Sequence, residues 1–168
     1  MVSPRTLALV TSSAAGRSYM TPAAKDDWAT PQGFFNRLNG EFDFTLDPCA
    51  SSSNHKCSRY YTREQNGLKQ DWGCHTVFCN PPYGRAIPSW MKKADAACRN
   101  GATVVLLVPA RTDTKWFHRI AVNHEVRFIE GRIKFGDGRG SAPFASILVV
   151  MRAGAAKPEV PVLTCCAA

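Results

Sequence analysis

Two consecutive prolines, Pro81 and Pro82, come soon after the apolar run Thr76-Val77-Phe78 and decide where that run must stop. Neither ring nitrogen can donate to a sheet ladder, so a strand that reaches them ends there. The apolar run reads as a buried strand. The chain is therefore turned out of a sheet at a strand's carboxyl end, which is where open α/β sheets bind their ligands. The corner Asn80-Pro81-Pro82-Tyr83-Gly84 then presents three groups: the side-chain carbonyl of Asn80, the Pro81 main-chain carbonyl held by the Pro82 ring, and the aromatic face of Tyr83.

Two neutral acceptors beside a stacking plate suit a planar ligand that carries an exocyclic amino group. Such an amino nitrogen is a poor nucleophile, because its lone pair is delocalised into the ring. Acceptors on its two hydrogens would draw it toward tetrahedral geometry and localise that pair. The proton can leave after the nitrogen has become cationic, so no strong base is required. A sulfonium methyl is the electrophile that matches this scheme, with positioning and fixed dipoles as the means of catalysis. The plain alternative is a turn and nothing more, since Asn-Pro-Pro punctuates chains wherever it occurs.

The corner resembles the Asn-Pro-Pro-Tyr motif of amino-group methyltransferases that use S-adenosylmethionine. A fuller set of segments is similar to the small phage-encoded DNA adenine N-6-methyltransferases. These are Asp27 to Gln32, Leu46-Asp47-Pro48-Cys49-Ala50, Leu68 to Trp72, Asn80 to Gly84, Val108 to Asp113, and Gly131-Arg132-Ile133-Lys134-Phe135, together covering about residues 26 to 152. The resemblance implies one Rossmann-like methyltransferase domain over residues 25–152. Its mostly parallel seven-stranded sheet would carry a reversed last strand, between an arm (1–24) and a tail (153–168). It implies S-adenosylmethionine as cofactor, DNA as partner, and no metal. Asn80, Pro81, Pro82 and Tyr83 would form the catalytic corner. Trp28, Thr30, Pro31, Asp47, Pro48, Cys49, Glu64, Asp71, Trp72 and Asn80 would hold the cofactor. The expected setting is the cytoplasm of a bacterial host, with a phage or prophage source and a monomeric or homodimeric protein.

The composition agrees with a nucleic-acid partner. Lys and Arg number 21 against 13 Asp and Glu, a net charge of +8, and such an excess favours polyanions. Arg85, Arg111, Lys115, Arg132, Lys134 and Arg139 are the candidates for DNA contact; a solvated basic face is the competing reading. Seven cysteines are an odd number with no Cys-x-x-Cys, so neither a disulfide framework nor a zinc set is indicated. The spacings of Cys49, Cys57, Cys74 and Cys79 fit no usual metal pattern. No run is long enough to cross a membrane as a helix.

Along the chain, apolar runs and helical stretches alternate, which places the fold in the α/β class. Thr30 is expected to cap a helix that starts at Pro31 and ends at Asn39-Gly40. Strands are expected at Phe42–Leu46, Arg59–Thr62, Thr76–Phe78, Thr103–Val108, Val126–Ile129 and Ser146–Met151, with helices over Ile87–Cys98 and from Lys115. The first strand leads to Asp47, but no glycine occurs between Gly40 and Gly67. The glycine-rich loop that many cofactor-binding methyltransferases place there is therefore missing. Asp47 reads either as a ligand for the cofactor's amino group or as a turn cap. Glu64 follows the second strand, where an acid grips ribose hydroxyls or is a surface charge. Asp71 would accept from the cofactor's adenine amino group. Trp72 either covers that ring or packs in the core. Asp113 reads as a helix cap, and the loop 136–141 as a DNA-facing turn or an ordinary hairpin.

With short loops at 84–90 and 132–144 as the only segments free to read sequence, specificity would be loose or shared by a dimer. Two other functions remain open: the same chemistry on an RNA base or a protein glutamine, and a catalytically silent nucleic-acid-binding module, which the missing glycine loop favours.

Overall fold

The computed structural model describes residues 28–136, 140–156 and 158. Arg139, residues 1–24 and most of the 153–168 tail lie outside them. The described residues form a six-stranded sheet in the order β2-β1-β3-β4-β6-β5. The strands are β1 (Leu46–Asp47), β2 (Arg59–Tyr60), β3 (Thr76–Cys79), β4 (Thr103–Pro109), β5 (Glu125–Phe128) and β6 (Ser146–Met151). Pairings β1/β2, β1/β3 and β3/β4 are parallel, whereas β6 runs antiparallel to both β4 and β5. The reversed last strand is thus present, inserted between β4 and β5. The sheet has six strands among the described residues where seven were expected.

β4 is buried along almost its whole length, and β6 along all of it. Strands covered on both faces read as continuous apolar runs, which is why Thr103–Val108 and Ser146–Met151 were legible as strands. Helix α2 (Ile87–Arg99) buries Ile87, Trp90, Met91, Ala94, Ala97 and Cys98 at helical spacing. Pro88 stands in its first turn, where a missing N–H costs nothing.

Helix α1 (Gln32–Phe42) departs from expectation at both ends. Pro31, not Thr30, occupies the cap position, and its carbonyl accepts from the amides of Phe34 and Phe35. Thr30 is buried and its hydroxyl serves a different partner, described below. At the other end the helix runs past Gly40 to Phe42 and closes on Asp43, whose φ of 53° is left-handed. Asn39 makes that ending possible. Its main-chain carbonyl takes the Asp43 amide and its side-chain carbonyl takes the Phe44 amide. With Phe42 kept helical and stacked on Phe44 at 5.4 Å, the first strand shrinks from Phe42–Leu46 to Leu46–Asp47. Helix α3 (Lys115–Arg119) starts after Thr114, not Asp113.

Parallel strands β1, β3 and β4 share one carboxyl end. There the loops after Asp47, Cys79 and Pro109 converge, with the N-terminal end of α1 beside them.

Candidate active site

Asn80 leaves β3 at the point where the prolines stop the ladder. Its side-chain nitrogen donates to the Trp28 carbonyl at 2.5 Å and to Thr30 Oγ1 at 3.0 Å. A main-chain carbonyl can only accept, so the amide cannot be turned over without setting two oxygens against each other. The remaining atom, Oδ1, is therefore aimed by its own amide. It is buried and has no hydrogen-bond partner. A buried acceptor left unmatched costs about 1–3 kcal/mol, and most proteins avoid it.

Asn80 shares a cleft with Trp28, Ala29, Thr30, Asp47 and Cys49, all on the carboxyl side of the sheet. Asn54, Lys56, Phe78 and Pro82 complete its walls. Asp47 is 4% exposed. Its two oxygens accept the main-chain amides of Cys49 and Lys56, both at 3.1 Å. Burial raises its pKa, and the two amides and the Lys56 charge oppose that rise. Each carboxylate oxygen keeps a lone pair for a further donor. Cys49 touches Cys79 at an Sγ–Sγ distance of 3.6 Å. Burial first, and then Cys79, pushes the Cys49 thiol well above its ordinary range, so it is no nucleophile at neutral pH.

The loop after β1 carries no glycine, and the first one beyond it, Gly67, packs against that loop. A Cβ built there would lie 2.1 Å from the Pro48 carbonyl oxygen. Its own carbonyl accepts from Trp72 Nε1 at 2.9 Å. A glycine at 67 thus lets the segment before Trp72 close on the loop after β1, backbone against backbone.

Several expected residues stand apart from the cleft. Trp72 is a core residue, 1% exposed and stacked toward Trp90, so the packing reading holds for it and no ring face is left for a ligand. Glu64 is exposed and lowered in pKa chiefly by a hydrogen bond from Thr62. Asp71 is exposed and caps the Gly73 amide at 3.0 Å. Pro31, Pro48 and Pro81 shape the turns without lining the cleft.

Tyr83 is the largest difference. Its ring is 6% exposed, edge-on to Phe135 at 6.0 Å and to Phe144 at 5.4 Å. Its hydroxyl donates to the Leu107 carbonyl at 3.4 Å. Burial, with Cys79 nearby, raises its pKa, so it stays neutral. Trp28 meets the same two phenylalanines at 5.5 and 5.2 Å. The flat face expected to lie open is packed in an aromatic cluster.

Of the basic candidates within the described residues, Arg85, Arg111, Lys115, Arg132 and Lys134 are all exposed. Residues 132–136 alternate exposed and buried, with Ile133 and Phe135 inward. The Gly136 amide donates to Ala29 at 2.8 Å, which brings Lys134 to the cleft's neighbourhood. Arg127 is not available: it pairs with Glu41 and Glu125.

The sequence reading missed Asn54 and Lys56. For Asn54 the signal was the polar run Ser51-Ser52-Ser53-Asn54 in the loop after β1; Lys56 had none. Asn54 Oδ1 takes the Ser51 amide at 2.7 Å and folds that run back over the cleft.

An α/β sheet with one reversed strand, whose loops set a fixed amide acceptor beside a buried acid, defines the class: an open α/β protein with a polar cleft at its strand ends. Comparison with known proteins narrows the class. The model of the family "DNA N-6-adenine-methyltransferase (Dam)" matches residues 17–159, and the chain belongs to that family. It is 36% identical over 115 residues to the DNA N-6-adenine-methyltransferase of Haemophilus phage HP1, covering 66% of each chain. It is also 36% identical over 122 residues to the protein of the same name from Escherichia phage T1, covering 68% of this chain and 51% of that one. The chain thus spans from half to about two thirds of the length of these relatives. The resemblance carried by the ordered motifs is borne out. Among the described residues no helix is long and apolar enough to cross a membrane.

Proposed function

We propose that this protein transfers a methyl group from S-adenosylmethionine to the N-6 amino group of adenine in DNA, and that residues 25–152 are its methyltransferase domain. The observation that carries the reading is the Asn80 amide: both donors are consumed by Trp28 and Thr30, and the acceptor is buried and unmatched. An amino hydrogen of a nucleobase supplies what that oxygen lacks. The donor set of the cleft fits the cofactor as well, since Asp47 can accept from an ammonium and Trp28 and Phe78 offer apolar wall. When bound, S-adenosylmethionine supplies an electrophilic methyl on a sulfonium.

The chain's own part is electrostatic and geometric. Asn80 Oδ1 accepts one amino hydrogen. The Pro81 carbonyl takes the other once the corner opens, since Pro81 is buried and does not line the cleft as it stands. The two acceptors together localise the nitrogen lone pair. Asn80 need not reorganise, because Trp28 and Thr30 already hold it. No side chain takes the proton in the rate-setting step; it leaves to solvent from the cationic nitrogen. Tyr83 stacks on the extruded base only after Phe144, which is half-buried, gives way. Arg85, Arg111, Lys115, Arg132, Lys134 and Arg139 hold the DNA backbone. The host-cell cytoplasm is the setting that suits a chain related to phage enzymes.

The test is incubation of the purified protein with methyl-labelled cofactor and DNA, RNA or protein acceptors, followed by mass analysis of the products. Label confined to N-6-methyladenine in DNA is expected. Label on an RNA base or a glutamine would replace the acceptor; cofactor binding without transfer to any acceptor would sink the reading.

A further inference from the structure

The cleft has two charged walls and they are opposite in sign: Asp47 and Lys56. Lys56 is half-buried, with its backbone anchored in the cleft and its ammonium tethered at the exposed rim. Its main-chain amide is tied to Asp47 Oδ2 at 3.1 Å, and its ammonium donates to Gln32 Oε1 at 3.0 Å. Gln32 is itself oriented, because its amide nitrogen donates to Asn36 Oδ1 at 2.8 Å. That leaves its carbonyl turned toward Lys56. An ammonium has three donors and Gln32 uses one. The two others stand at the N-terminal end of the eleven-residue helix α1, where the helix dipole adds to the positive potential. Ala29 and Thr30, just ahead of that end, line the same cleft.

A buried acid and a tethered cation in one cleft are the complement of a zwitterion. We infer that Lys56, oriented by Gln32, is the counter-ion of the α-carboxylate at the amino-acid end of the cofactor, while Asp47 takes the α-ammonium. This rests on the reading of the cleft as the cofactor site. It assigns the carboxylate to a residue that does not touch the reacting atoms. Lys56 is thus a binding residue, with Gln32 as its positioning partner. The competing occupant is a DNA phosphate, and the experiment separates the two.

Binding is measured by calorimetry for the parent, Lys56→Met and Lys56→Arg. The probes are S-adenosylmethionine, its decarboxylated analogue, and a short DNA duplex. Lys56→Met is expected to weaken S-adenosylmethionine roughly ten- to hundredfold, the scale of one charge-assisted hydrogen bond. The decarboxylated analogue should bind parent and Lys56→Met alike, which also shows the variant to be folded. Lys56→Arg should keep most of the affinity. Equal weakening of both nucleosides, or no weakening of either, overturns the assignment while leaving the cofactor site standing. Loss of DNA affinity alone would give Lys56 to a phosphate and overturn it too. A parent that binds neither nucleoside removes the cofactor site itself, and this inference with it.

Discussion

The cleft at the β1–β3–β4 strand ends and the far edge of the sheet at β5 both concentrate polar groups, but they treat them in opposite ways. At the edge, Glu41, Arg127, Glu125 and Arg152 answer one another. Both arginines also lie 5.3 Å over the ring of Phe42. These side chains are about a third to a half exposed, so water stands in wherever protein does not. In the cleft, Asn80 Oδ1 is shut away from water and answered by nothing. Size points the wrong way here: a larger hollow lies against β5 and β6, walled by Val122, Val126, Val150 and groups already paired. Ser146 Oγ on β6 is likewise buried without a partner, but it does not line the cleft. What marks the functional site is an unmatched acceptor that is fixed by its own amide and stands beside a buried acid at the strand ends, where a ligand can remove the cost.

The largest expected effect follows directly. Asn80→Ala should lower methyl transfer by about two to three powers of ten, the loss typical of one preorganised transition-state contact. Cofactor affinity by calorimetry should move no more than a few-fold. Arg127→Ala at the edge should leave the rate alone. Parent-like turnover in Asn80→Ala would take the amide out of the mechanism and erase the contrast between the two regions.

Gly67→Ala tests the cleft's architecture. The added methyl must displace the Pro48 carbonyl, which is backbone and cannot rotate away. Chemical denaturation should show a loss of about 1–3 kcal/mol, the range for an overpacked site, together with weaker cofactor binding. A variant with parent stability would mean that the loop after β1 is looser than the packing of Gly67 against Pro48 requires.

These two residues also show what could be read from the chain alone. The double proline fixed the end of β3, and the unbroken runs at Thr103–Val108 and Ser146–Met151 announced buried strands; both are local signals. Asn80 was legible as an acceptor because its neighbours forced the corner. Its two restraints were not, since Trp28 and Thr30 lie fifty residues away and Thr30 carried a stronger local reading as a helix cap. Tyr83 was misjudged for the same reason. Its motif speaks of a ring, and only the return of residues 133–144 tells what packs on it. Gly67 and Lys56 were invisible because a contact between one loop and the segment packed on it has no period or spacing to betray it.

At the edge the expected effects are small. Arg127→Ala should cost under about 1 kcal/mol, as partly exposed ion pairs do, and the cost should shrink in high salt. A loss several times larger would show the cluster to be a structural anchor and not a solvated one.

The last test concerns sign. Arg127 holds Glu41 below its ordinary 4.5 chiefly through a hydrogen bond. Burial raises Glu125, but Arg127 and Arg152 outweigh it and the net shift is also downward. A depressed acid stabilises the fold above its unfolded pKa, and that contribution is lost as pH falls through the folded value. Asp47 does the reverse. Burial lifts it above 3.8, so between 3.8 and its folded value the native state holds more protons than the unfolded chain, and stability falls as pH rises. Unfolding of the cofactor-free protein should therefore separate two variants by slope. From below pH 3.8 upward, Asp47→Asn should gain on the parent until the folded pKa of Asp47 is passed. Glu125→Gln should lose ground to the parent up to about pH 4.5 and then run parallel to it. Any fixed cost of either substitution shifts a whole curve and drops out of the comparison. Slopes of the same sign would mean that the cleft acid is as well answered as the edge acids, and that the demand in the cleft belongs to Asn80 alone.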